Sequence, residues 1–215
     1  MLKIKVVPVT AFQQNCSIAW CEKTLNGVVI DPGGDTPRIL QAISDSGVNI
    51  EKILLTHGHI DHVGGAASLA RALNVPVEGP HEDDHFLLES LHEQSQKFGM
   101  PSAETCTPDR WLNDGDEIIV GEERFTVIHA PGHTPGHVVF YNPSARFATV
   151  GDVLFAGSIG RTDFPRGDYA TLITSIRNKL FPLGDDITFL PGHGPTSTFG
   201  KERKENPFVG DFTQA

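Results

Sequence analysis

The segment Thr56-His57-Gly58-His59-Ile60-Asp61-His62 places three imidazoles and one carboxylate within six residues. Imidazole nitrogen and carboxylate oxygen are ligands that zinc and iron accept. Four such side chains crowded together cost stability unless a cation binds or neutralises them. His57 and His59 are two apart just past an apolar run, so extended backbone aims both to one side. Asp61 and His62 follow where the chain turns towards a helix, and they can face a second point. Gly58 permits close backbone approach. Further single candidates each sit beside glycine: His133 in Pro131-Gly132-His133-Thr134-Pro135-Gly136-His137, Asp152 in Gly151-Asp152, and His193 in Pro191-Gly192-His193-Gly194-Pro195. A carboxylate at a strand end, as Asp152 is, can serve two metals, one oxygen to each. His81, His85, His92 and His129 carry no such pattern. His137 opens the next strand and is expected to support the site or the fold.

These side chains need strand ends to hold them. Residues 3–9, 15–21 and 27–31 read as strands, and Asp31-Pro32-Gly33-Gly34 breaks the last of them. Asp35 is expected to cap a helix through about Asp45, with Ile39, Leu40 and Ile43 on one face. Ile53-Leu54-Leu55 is a short apolar strand that runs into the histidine cluster, and residues 62–73 follow as a helix. A short strand at 75–77 and a helix over 81–98 complete the first half. In the second half, 116–120 and 124–129 form a hairpin around Gly121, and 138–141 and 147–150 form another. Residues 168–180 have helical apolar spacing, 187–190 form a last strand, and a short helix and tail close the chain. Each half is strand-rich first and helix-closed second. Ligands at strand ends and helices outside two packed sheets predict a four-layer αββα sandwich, in one domain over residues 1–215.

The 215 residues carry a formal net charge of −10. That balance argues against a nucleic-acid or membrane-surface role, because both favour basic patches. An anionic small substrate stays compatible with it. Two divalent cations, two aspartates and one hydroxide leave a site near about +1. Cys16, Cys21 and Cys106 form no Cys-x-x-Cys pair and are read as free buried thiols in a reducing compartment. The alternating N-terminus has no apolar leader region, and no run reaches the ~20 apolar residues of a membrane span. A cytoplasmic protein is expected.

Together, Thr56–His62, Pro131–His137, Gly151-Asp152 and Gly192-His193 resemble the metallo-β-lactamase superfamily over almost the whole chain. The likeness implies the αββα metallo-β-lactamase fold with a dinuclear site between the sheets. Within the superfamily the sequence looks most like the glyoxalase II (hydroxyacylglutathione hydrolase) group, in its short form without a C-terminal helical extension. By that likeness His57, His59 and His133 take one metal, and Asp61, His62 and His193 take the other, with Asp152 bridging. The implied cofactor is a pair of divalent ions, zinc first, with iron or manganese acceptable to the same donors. The implied reaction is hydrolysis of S-lactoylglutathione to glutathione and D-lactate by a metal-bridging hydroxide, which Asp61 helps to orient. A basic residue matching Arg161 contacts the glycine carboxylate of glutathione in that group, and Arg166 is a candidate to share the contact. Arg161 has a second reading, as a loop brace to Asp163 or Asp168.

Two other activities fit the same resemblance. Persulfide dioxygenases share a Gly-Arg-Thr-Asp-Phe segment like residues 160–164 and use one iron on two histidines and an aspartate. Lactonases and other ester hydrolases share the fold. A metal-dependent binding or sensor module without turnover is the non-enzymatic alternative. The sequence leaves the oligomeric state open.

Overall fold

Strands that are apolar at nearly every position need cover on both faces. The computed structural model supplies it by stacking two sheets between two helical layers, and it describes residues 1–214; Ala215, the last residue of the expected domain, lies outside them. The first sheet runs β1 (Leu2–Val9), β2 (Gln14–Cys21), β3 (Asn26–Ile30), β4 (Asn49–Leu54), β5 (Val77–Glu78) in spatial order. β1–β2–β3 are antiparallel, and β4 and β5 continue in parallel. The second sheet is built from β6 (Glu117–Val120), β7 (Glu123–His129), β8 (Val138–Asn142), β9 (Phe147–Gly151), β12 (Thr188–Pro191) and β13 (Ser197–Thr198), in spatial order β13-β12-β9-β8-β7-β6. A small hairpin, β10 (Leu154–Phe155) with β11 (Ser158–Ile159), follows β9.

Side-chain alternation sorts the core into layers. Val28 and Ile30 of β3 meet Phe125, Val127, Val138 and Phe140 of the second sheet in the central layer. Val29, between them in sequence, faces outward with Ile39, Ile43 and Leu69 of the first helical layer. Ile128, Val139 and Tyr141 face outward from the second sheet onto Leu172, Ile176 and Phe199. Full burial of one Phe or Ile side chain stabilises by roughly 1.5–3 kcal/mol. The four-layer αββα sandwich is the architecture expected, and each half of the chain supplies one sheet.

Helix ends differ from the expectations for local reasons. α1 spans Thr36–Ser46, but Asp35 makes no side-chain cap, and its Oδ2 accepts the Thr10 N–H instead at 2.8 Å. The helix expected over 62–73 starts earlier and breaks in two, α2 (Ile60–Val63) and α3 (Ala66–Leu73). Its Gly64-Gly65 junction lies against Pro32-Gly33, and a Cβ at Gly33 would sit 1.5 Å from the Asp61 carbonyl oxygen. The segment 81–98 becomes a 3₁₀ turn over Glu82–Asp84, then α4 (His85–Glu89) and α5 (Leu91–Phe98). α6 (Tyr169–Ser175) widens into a π turn over Ile176–Leu180, and α7 spans Phe199–Glu205. Among the described residues no helix is long and apolar enough to cross a membrane.

Candidate metal centre

The ligand candidates meet at the C-terminal ends of β4 and β9 and in the loops after β7 and β12. Asp31, left-handed at φ 52°, ends β3 and organises the first loop. Its Oδ1 accepts the Thr56 N–H at 2.7 Å, and its Oδ2 accepts the Thr56 hydroxyl at 2.6 Å. The same Oδ2 faces His62 Nδ1 at 2.9 Å. Asn15 of β2 holds the last loop: its N–H donates to Gly192 O at 2.7 Å and its amide to Pro191 O at 3.0 Å. Asp152 is seated by His137, whose Nε2 accepts the Asp152 N–H at 3.0 Å.

Two clusters result. His57, His59 and His133 form one, and Asp61, His62 and His193 form the other, each with its ligand atoms within 4.8 Å of one another. In the first, His59 Nδ1 lies 3.1 Å from His57 Nε2 and 2.9 Å from His133 Nε2. Asp152 lies between the clusters. Its Oδ1 is 3.3 Å from His62 Nε2, and its Oδ2 is 3.8 Å from both His133 Nε2 and His193 Nε2. Asp61 Oδ2 is 3.1 Å from His193 Nε2. All seven expected ligand residues thus converge.

Which nitrogen carries a lone pair follows from the acceptor on the other side of each ring. The Thr56 hydroxyl gives its proton to Asp31, so its oxygen takes the proton of His57 Nδ1 at 3.0 Å. His133 Nδ1 donates to Arg161 O at 2.7 Å, and His193 Nδ1 to Phe12 O at 3.1 Å. His62 Nδ1 donates to the Asp31 carboxylate. The Nε2 atoms of His57, His133, His62 and His193 therefore all point their lone pairs inward. Buried His62 Nε2 and Asp152 Oδ1 lack any hydrogen-bond partner. His62 Nε2 and a carboxylate oxygen facing each other need a proton or a metal cation between them, and the inward-facing donor set fits two divalent ions.

The electrostatics divide the clusters. Burial first, then the neighbouring imidazoles, lower His57 well below its ordinary value. Burial and His133 lower His59 to about 3. Burial also lowers His133. The first cluster is therefore uncharged and free to ligate near neutral pH. In the second, burial opposes charge, but Asp152 and Asp61 raise His62 well above its ordinary value. His193 is raised against burial by its hydrogen bond to Asp61 and by the charge of Asp152. Asp152 is pushed up by burial and still held far below the carboxylate range by His62, His133 and His193. A proton shared there is what a cation would replace.

Among the described residues, two other groups containing histidine also have their ligand atoms within 4.8 Å of one another. Asp31 with His57 and His62 is accounted for by the hydrogen bonds above. In the group of His81, Asp83 and His129, His81 Nδ1 accepts the Asp83 N–H at 3.2 Å, His129 Nε2 donates to Pro135 O at 2.8 Å, and the two rings stack at 4.3 Å and 16°.

The clusters floor a cavity of about 520 Å³, walled by Phe12, Phe98, Met100, Phe155 and Phe164. Arg161 lines it. The brace reading of Arg161 is realised with Asp163: Nε and Nη2 donate to its carboxylate at 2.9 and 2.7 Å, and the guanidinium lies 4.6 Å from the Phe164 ring centre. Asp168 is not its partner, since its Oδ1 accepts the Thr171 N–H at the start of α6. Arg166 stands apart, outside the cavity lining and 4.1 Å from the Phe86 ring centre.

The metallo-beta-lactamase superfamily profile matches residues 9–193, which contain every residue of both clusters. The chain belongs to the metallo-beta-lactamase superfamily. Among superfamily members it is 51% identical over 209 residues to the hydroxyacylglutathione hydrolase GloC of Haemophilus influenzae, covering 97% of this chain and 98% of that protein. It superposes on TTHA1623, solved in a di-iron-bound form, with TM-score 0.87 and 36% identity over 95% of this chain and 100% of that one. It is also similar to the B3 metallo-beta-lactamase BLEG-1, with TM-score 0.89 and 33% identity over 96% and 99% of the two chains.

Proposed function

We propose that this chain is a metal-dependent thioester hydrolase of the glyoxalase II type, acting on S-lactoylglutathione to release glutathione and D-lactate. The observation that carries the reading is the pair of ligand clusters on either side of Asp152 at the floor of the cavity. The 51% identity to a hydroxyacylglutathione hydrolase supports the substrate class. His57, His59 and His133 would hold one ion, and Asp61, His62 and His193 the other, with Asp152 offering one oxygen to each. Zinc suits imidazole and carboxylate donors, and a similar chain has been solved with two irons. Bound, the ions would acidify water and polarise the thioester carbonyl.

The chain's own groups do the rest. Asp61 lines the cavity beside His193 and would help to orient the attacking water. The aromatic wall excludes bulk water and strengthens every polar contact on the floor. A thiolate leaves readily, which fits a cavity whose lining contains no lysine or tyrosine to protonate it. Arg161 offers a planar fork to the glycine carboxylate of glutathione. Asp163 holds that fork in the meantime, and the pair is exposed enough to exchange at little cost. Residues 1–215 act as one hydrolase domain. Three free, buried cysteines fit a cytoplasmic setting. The partner is the small thioester itself, with no nucleic acid or membrane.

The test is zinc, iron or manganese reconstitution followed by metal analysis and a thioesterase assay. About two metals per chain with S-lactoylglutathione hydrolysis is the expected result. One iron per chain, with oxygen uptake on glutathione persulfide and no thioesterase activity, would replace the proposal with the dioxygenase reading.

A further inference from the structure

We propose that Asp84 is a positioning residue for the first ligand cluster: a buried carboxylate stapling the loop of His57 and His59 to the loop of His133. The proposal rests on reading those three histidines as metal ligands.

Asp84 is fully buried and precedes α4, yet its side chain makes no cap to that helix. It turns the other way, into the two loops. Oδ2 accepts the Gly58 N–H at 2.9 Å and the Thr134 hydroxyl at 2.7 Å, and Oδ1 accepts the Gly136 N–H at 2.6 Å. Gly58 lies between His57 and His59, and Thr134 follows His133 directly. One carboxylate thus spans two segments that come from different sheets. The same turn holds the second loop again through His81, whose N–H donates to Gly136 O at 3.0 Å.

Both glycines are shaped to this contact. A Cβ at Gly136 would fall 2.7 Å from Asp84 Cγ and 2.5 Å from its nitrogen. A Cβ at Gly58 would fall 2.6 Å from Leu87 Cβ, one helical turn beyond Asp84. No Lys or Arg pairs with Asp84 among the described residues. A carboxylate buried without a cation is costly, so three short hydrogen bonds must hold it. Those bonds come from the backbone or hydroxyl groups beside the ligands, where they set the spacing of His59 and His133. Metal sites demand that spacing to about 0.2 Å.

Asp84→Asn is the decisive variant. Its amide NH2 must face either Gly136 N–H or Gly58 N–H, and both are donors. Zinc affinity is read by competition with a chromophoric chelator, in the wild-type chain and in an Asp61→Ala background where one zinc remains. We expect Asp84→Asn to weaken one of the two zinc equivalents by about 10–100-fold, to leave the other within about twofold, and to weaken the zinc that remains in the Asp61→Ala background. Turnover should fall with KM within about twofold. A variant that melts lower but binds both zincs as the wild type does would reduce Asp84 to a fold brace and overturn the proposal. If Asp84→Asn does not fold, Gly136→Ala, which presses directly on the Asp84 carboxyl group, must show the same one-site loss; unchanged binding there overturns it equally. A wild-type chain that binds no zinc would instead refute the metal reading, and the staple with it.

Discussion

Replacing Gly192 by alanine puts a methyl carbon where the two ligand clusters meet. An ideal Cβ at that position lies 2.1 Å from Asp152 Oδ1 and 2.6 Å from His62 Cε1, where ordinary contact begins at 3.4 Å. The carboxylate oxygen must therefore retreat by about 1.3 Å. Neither backbone can absorb the shift. Gly192 N donates to Gly151 O at 2.8 Å, and Gly192 O accepts from Asn15 at 2.7 Å. Asp152 is tied through its own N–H to His137. Alanine strains no torsion here, because Gly192 is not among the left-handed glycines. The displacement falls on the oxygen expected to face the second ion. It is several times the tolerance of about 0.2 Å for a ligand position, and a misplacement of about 1 Å costs roughly 100-fold in rate. Gly192→Ala should fold with an unchanged far-ultraviolet circular dichroism spectrum, carry closer to one metal than two, and lose about 100-fold in kcat. Gly194→Ala is the control. It has a left-handed φ of 76° but open space around a Cβ, so it should cost about 1 kcal/mol of stability and keep both metals. A Gly192→Ala protein with two metals and full turnover would show that the space between Asp152 and His62 is not an ion position.

Asp61→Ala should empty mainly the second position, and metal analysis that still finds two ions per chain would refute its assignment as a ligand. Arg161→Ala should raise KM for glutathione thioesters about tenfold, the worth of a charge-assisted hydrogen bond, while small thioesters change little; equal shifts would leave Arg161 a brace for Asp163. In metal-free protein, burial holds His57, His59, His133 and His137 below their ordinary values. Unfolded imidazoles titrate near about 6.5, so below that pH the unfolded chain takes up protons the folded chain refuses, and stability falls by up to about 1.4 kcal/mol per pH unit for each. His62 and His193, raised against burial by hydrogen bonds and nearby carboxylates, act in the opposite sense: their stabilisation is full below about 6.5 and fades as pH rises through their folded values. His137→Gln, which keeps an acceptor for the Asp152 N–H, should make the acid limb of the metal-free melting curve shallower, and superimposable limbs would refute the buried neutral His137.

The candidate ligands were legible because a donor set suited to metal leaves a compositional trace. Imidazoles and carboxylates beside glycine at strand ends have few other uses, and all seven converge. The strands were legible for a related reason: burial on both faces makes runs such as Ile53-Leu54-Leu55 apolar throughout. Helix limits were less so. The break between α2 and α3 comes from Pro32-Gly33 pressing on Gly64-Gly65, a contact between segments about thirty residues apart. Asp35 looked like a cap by position, yet tertiary structure gave its carboxylate to Thr10. The hairpin of β10 and β11 and the short β13 have two residues per strand, too few for a periodic pattern.

The groups that orient the ligands divide in a way that explains what stayed hidden. Four acceptors hold four imidazole rings by Nδ1: the Thr56 hydroxyl, the Asp31 carboxylate, Arg161 O and Phe12 O. Asp31 and Thr56 are polar side chains near strand ends, and a reader could suspect them. Arg161 and Phe12 act through backbone carbonyls, which every residue carries, so no residue type records the role. Both residues also line the cavity. The residue that orients His133 thus presents the guanidinium fork, and the residue that orients His193 forms part of the aromatic wall. Substitution at either site changes the cavity while the carbonyl remains. Under the proposed function, side-chain variants of Arg161 and Phe12 would probe substrate binding with both carbonyls still in place, which is why the Arg161→Ala comparison is read through KM.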